Sequence, residues 1–128
     1  MQPTPSLAGL RILVVEDEVL VSLLIEDTLA DEQCIVVGPY DRVPAALAAV
    51  ETETFDVAVL DVNLAGVKVY PVAERLAARG IPFLLLSGYG QSAAPPEHPE
   101  WHVCNKPFNP EQLVAQLAEL AREGLSRK

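Results

Sequence analysis

The sequence has little positive charge: nine lysines and arginines stand against eighteen aspartates and glutamates, a formal net charge of -9 over 128 residues. So few cations form no basic stripe, which removes the electrostatic footprint of a nucleic-acid binder. Cysteine is scarce as well. Cys34 and Cys104 make neither a CxxC pair nor a disulfide framework, and both lie in apolar segments, where small buried hydrophobes belong. His98 and His102 have Cys104 just beyond them and superficially match a metal-ligand spacing. Pro99 between the histidines breaks the helical face that a zinc pair would share. Long apolar runs are missing, so no membrane-spanning helix is expected. The first ten residues lack both a positive n-region and an apolar h-region, so no secretion signal is expected and the chain is assigned to the cytoplasm. Neither an internal repeat nor a linker interrupts it.

What remains is one domain with one sizeable core, since half the residues are hydrophobic and the length is too short for two domains. Five short apolar runs have strand length: Arg11 to Val15, Cys34 to Gly38, Val57 to Asp61, Phe83 to Ser87 and Val103 to Lys106. Between them apolar residues recur at helical spacing, as in Val21, Leu24, Ile25 and Leu29, in Val43, Ala46, Leu47 and Val50, and in Val69, Val72, Ala73 and Leu76. A last helix opens at Asn109 with Pro110 at its first position and Gln112 at its third, resembling a capping box, and carries Leu113, Leu117, Leu120 and Ala121. Gly80 and Gly124 stand where left-handed helix caps are expected. Alternating strands and helices with nearly continuous apolar strands predict a parallel sheet covered on both faces. Pro95, Pro96 and Pro99 predict a short or irregular element in place of a fourth helix. Residues 1–9 are expected to be a flexible tail and 10–125 the domain, with no effector segment after the last helix.

Parallel sheets bind ligands beyond the carboxyl ends of their strands. The first run ends in Glu16 and Asp17, the third in Asp61, the fourth in Ser87 and the fifth in Lys106, whereas the second ends in Gly38 and Pro39. A strand order 2-1-3-4-5 makes the four polar endings neighbours and leaves the silent strand at an edge. Three carboxylates at one rim need a shared proton or a cation, and oxygen ligands favour a hard ion such as Mg²⁺ over zinc. A carboxylate beside such an ion and a lysine is the arrangement that phosphoryl transfer requires.

The run LRILVVEDE, the segment DVNL around Asp61, LLLSGYG with Ser87 and NKPF with Lys106 together resemble the four signature blocks of response-regulator receiver domains, over nearly the whole chain. The resemblance implies a flavodoxin-like doubly wound (βα)5 three-layer sandwich and a phosphoacceptor rather than an enzyme. It implies Glu16 and Asp17 as the acidic pair for Mg²⁺, Asp61 as phosphoacceptor and the backbone carbonyl of Asn63 as a further metal ligand. Ser87 is then the switch hydroxyl, and Lys106 the phosphate-pairing lysine before a Pro that is usually cis. The implied partners are a sensor histidine kinase, an output or phosphorelay protein, and a second copy through the face of the fourth helix, fifth strand and fifth helix. Val103 replaces the Phe or Tyr that many receivers carry three residues before the lysine. Tyr89 instead follows Ser87 and Gly88, similar to a subgroup with a Thr-Gly-hydrophobic-Tyr block, although Gly90 stands where that block ends in Tyr. The segment Gly88 to Gly90 is expected to follow Ser87 toward a phosphoryl group.

Each residue has a plainer reading: Asp17 as an N-cap, Glu16 as a solvated first-turn acid, Ser87 as a turn residue, Lys106 as a surface lysine. Their joint placement on four neighbouring strand ends favours the functional one. Three other functions fit less well. An aspartyl-phosphate phosphatase needs a second acid two residues after its nucleophile, where Asn63 stands. A flavodoxin-like flavin binder needs a Ser/Thr/Gly phosphate cradle that the loops lack. A scaffold that is never phosphorylated leaves the complete set of acceptor residues without a purpose.

Overall fold

The computed structural model describes residues 7–88 and 94–126, with side chains as far as Glu123. Strands β1 (Arg11–Val15), β2 (Ile35–Tyr40) and β3 (Val57–Asp61) alternate with helices α1 (Val19–Asp31) and α2 (Val43–Thr52). A two-residue pair β4 (Asn63–Leu64) and β5 (Val67–Lys68) leads into α3 (Tyr70–Ala78), followed by β6 (Phe83–Ser87), β7 (His102–Asn105) and α4 (Pro110–Ser126). The five main strands form a parallel sheet in the order β2-β1-β3-β6-β7, which is the predicted order with the hairpin set aside.

Side chains alternate across the sheet, so each strand feeds two cores. Leu13, Val15, Ala58, Leu60 and Leu85 pack with α2 and α3 on one face. Ile12, Val14, Val57, Val59, Leu84 and Leu86 pack with Ile25 and Leu29 of α1 and Leu113 and Leu117 of α4 on the other. Burial on both faces explains why these strands read as continuous apolar runs. Leu7 joins the second core and Gly9 N–H donates to Gln33 O at 2.9 Å.

Helix ends follow backbone chemistry. Asn109 caps α4, its Oδ1 accepting from Gln112 N–H at 2.7 Å as predicted. Gly80, at φ 72°, ends α3 with its N–H on Ala77 O and the Ile81 N–H on Leu76 O, a Schellman closure. Gln33 makes the same closure after α1 at φ 64°, which no glycine announced. Gly124 ends nothing, because α4 runs through it to Ser126. Where a fourth helix was in doubt, the described residues 94–101 make turns, with His98 N–H on Pro95 O and Trp101 N–H on His98 O. Three prolines there remove helix donors.

The β1–β2 ladder slips between Leu13 and Val15, at Gly38, which has φ 108°. A Cβ at Gly38 would lie 2.9 Å from both Val14 O and a Tyr40 ring carbon. Gly38→Ala is therefore expected to lose about 2–4 kcal/mol, from the backbone conformation and the clash together. A urea midpoint unchanged from the parent would contradict this.

Candidate functional site

Four strands end at one rim, and the β2 irregularity helps to shape it, because Glu16 N–H donates to Tyr40 O at 2.9 Å. Glu16 is 2% exposed and Asp61 4%, which is rare for carboxylates lacking a partner. The partner is Lys106, carried past the end of β7. Its Nζ lies 3.3 Å from Glu16 Oε1, 3.3 Å from Asp61 Oδ2 and 3.5 Å from Glu18 Oε1. Lys106 N–H also donates to Ser87 O at 2.7 Å, tying the ends of β6 and β7 together, and the Lys106–Pro107 bond is cis, as the resemblance implied. Ser87 is fully buried, with its Oγ 3.2 Å from Gly88 O. Asn63 N–H contacts Asp61 Oδ1 at 3.3 Å, which orients the carboxylate so that its other oxygen faces Lys106.

The structure thus brings together Glu16, Asp61, Ser87 and Lys106. Asp17 lines a cleft of about 370 Å³ with Glu18, Asp61, Asn63 and Lys106, but its Oδ2 accepts from Ala65 N–H at 2.9 Å in the β4–β5 turn. Carboxylate oxygens of Glu16, Glu18 and Asp61 lie within 4.8 Å of one another. Glu18 was missed in the sequence, although its place one residue past the acidic pair put it within reach. Tyr89 and Gly90 lie outside the described residues.

The turn holding Asp17 has Ala65 at φ 52° and Gly66 at φ 88°, both left-handed, and Asn63 Oδ1 accepts from Gly66 N–H at 3.0 Å. A left-handed alanine costs about 1–2 kcal/mol. A hydrogen bond to a carboxylate returns about 1.5–3 kcal/mol, enough to hold it.

Burial pushes the Glu16 carboxyl up to about 8, helped by the hydrogen bond to Asp61 and by its charge, while the Glu18 N–H and Lys106 pull it back. Desolvation acts to lower the Lys106 ammonium, but Glu16, Asp61 and Glu18 outweigh it and hold it above its ordinary value. At Glu16 burial and the neighbouring Asp61 act in the same direction, so the carboxyl is held protonated well above its ordinary range.

Glu16 Oε1 is buried and accepts no hydrogen bond of good geometry among the described residues. A buried carboxylate oxygen met only by the Lys106 ammonium, within a set of acid oxygens, fits a hard divalent cation such as Mg²⁺. Of the zinc-like trio, His98 stacks on Trp101 with centroids 4.1 Å apart, His102 pairs with Glu123 at 3.7 Å and Cys104 is buried, so the three go to different places.

Residues 12–118 match the family described as Response regulator receiver domain. The chain belongs to that family. Receivers are phosphoacceptor signalling modules. The receiver is 42% identical to SdrG from Sphingomonas melonis Fr1, with a TM-score of 0.78 over 88% of this chain and 96% of that one. Against the BeF3-activated conformation of SdrG from Pseudomonas melonis Fr1 the identity is 41% and the TM-score 0.74, over 89% and 98%. The transcriptional regulatory protein TcrA of Mycobacterium tuberculosis is 35% identical over 91% of this receiver, which spans only 48% of that relative's length. Among the described residues no helix is long and apolar enough to cross a membrane.

Proposed function

We propose that this receiver accepts a phosphoryl group on Asp61 from a sensor histidine kinase in the presence of Mg²⁺, and that the phosphorylated form changes which protein it binds. The observation that carries this reading is Lys106 Nζ held 3.3 Å from both Asp61 Oδ2 and Glu16 Oε1 at a buried rim. The existence of a BeF3-activated conformation in the related SdrG supports it.

Glu16, Asp17, Asp61 and the backbone carbonyl of Asn63 would hold the ion, with Glu18 as a further oxygen donor. When bound, Mg²⁺ supplies Lewis-acid neutralisation of phosphoryl charge. The chain's own residues do the rest. The Asn63 N–H holds one Asp61 oxygen, leaving the other to attack phosphorus. The bond from phosphorus to the donor's imidazole nitrogen breaks, and its electron pair stays on that nitrogen, which takes a proton from solvent. Lys106 pairs with one phosphoryl oxygen, and the Ser87 hydroxyl with a backbone N–H meets another.

Intact-mass measurement after incubation with acetyl phosphate tests this. One added phosphoryl unit is expected in Mg²⁺, with labelling at least about tenfold slower in chelator. Equal labelling in the two conditions would remove the metal from the account.

A further inference from the structure

Asp17 serves the site in a second way. Its neighbours Glu16 and Glu18 turn toward Asp61 and Lys106, while its own carboxylate leaves them for the N–H of Ala65. That N–H belongs to a left-handed alanine in a two-residue turn, a place where Asn or Gly is preferred because L side chains crowd the backbone. Within the turn Asn63 Oδ1 holds the Gly66 N–H at 3.0 Å, whereas the Ala65 N–H is held from outside, by Asp17 at 2.9 Å. The hairpin is also directly coupled to the acceptor. Asn63 N–H is on Asp61 Oδ1, Leu64 is buried in the core, and Val69 N–H closes on Val62 O at 2.9 Å just before α3 begins.

We infer that Asp17 is a positioning residue that ties the β4–β5 hairpin to the end of β1, and that cation binding and the hairpin compete for its carboxylate. The hairpin's exposed edge, with Val67 54% exposed, is then a surface that responds to occupancy of the rim. The competition rests on the Mg²⁺ reading above; the tie does not.

Amide-resolved hydrogen exchange separates the two. In metal-free protein Asp17→Ala is expected to speed exchange at Ala65 at least tenfold, with the β3 and β6 amides unchanged. Asp17→Asn, which keeps an oxygen acceptor, is expected to stay within about threefold of the parent. Ala65→Gly relieves the left-handed alanine, so adding Asp17→Ala to it is expected to have less than half the effect. Unchanged exchange at Ala65 in Asp17→Ala overturns the tie. Titrating Mg²⁺ into the parent, with binding followed by calorimetry in the same samples, is expected to speed exchange at Ala65, and Asp17→Asn to remove that response. Bound Mg²⁺ with unaltered Ala65 exchange overturns the competition while sparing the phosphoacceptor reading. No Mg²⁺ binding at all overturns both of these, and the metal-free arm still decides the tie.

Discussion

Asp61→Asn is expected to take up no phosphoryl group from acetyl phosphate in Mg²⁺, a loss of at least about a thousandfold in labelling rate against the parent. The substitution is nearly isosteric. Its remaining oxygen can still accept from Asn63 N–H, and the β3–β6 register through Asp61 and Leu86 is a backbone matter, so the fold stays. What goes is the nucleophile: a carboxamide oxygen attacks phosphorus far more weakly than a carboxylate, and one anionic charge beside Lys106 is lost with it. The same variant therefore carries an internal check, because removing an acid from a crowded acidic rim ought to leave the metal-free protein at least as stable as its parent. Intact-mass spectrometry reads the first effect and thermal melting the second. Labelling of Asp61→Asn at the parental rate would place the acceptor on another side chain.

The parts of the fold written in side-chain type were legible in the sequence. Strands buried on both faces announced themselves as apolar runs, and the polar residue ending four of them gave both the sheet order and the rim that Glu16, Asp61, Ser87 and Lys106 share. Backbone conformation was harder to read. The β4–β5 hairpin turns on Ala65 rather than on an Asn-Gly pair, and α1 closes on Gln33 rather than glycine, so neither left a signal. Nor can strand alternation say which of Asp17 and Glu18 turns inward. Both lie past the last paired residue of β1, where the chain bends into α1 and hydrogen bonds from outside the strand decide direction. Proline was the one local signal that overrode a family expectation correctly, leaving turns in the described part of the fourth-helix position.

Glu16→Gln is expected to remove most of the pH dependence of stability between about pH 5 and 9 in metal-free protein. The carboxyl has an ordinary value of 4.5 and a folded value of about 8, so between these limits the native state holds a proton that the unfolded chain has released. Stability contributed by that proton is fully present below 4.5 and is lost as pH rises through 8. A gap of several units corresponds to several kcal/mol at most. Water entering the rim as the acid ionises reduces this to about 2–3 kcal/mol, or about 5–10 °C in melting temperature. The amide cannot ionise, so the variant's melting temperature stays nearly flat and exceeds the parent's at pH 9. Added Mg²⁺ reverses the order: it favours the deprotonated carboxylate, stabilises the parent more at high pH than at low and releases protons on binding near neutrality, whereas Glu16→Gln gains little. Parent and variant melting curves that move in parallel with pH and respond alike to Mg²⁺ would mean that Glu16 neither holds the proton nor meets the ion.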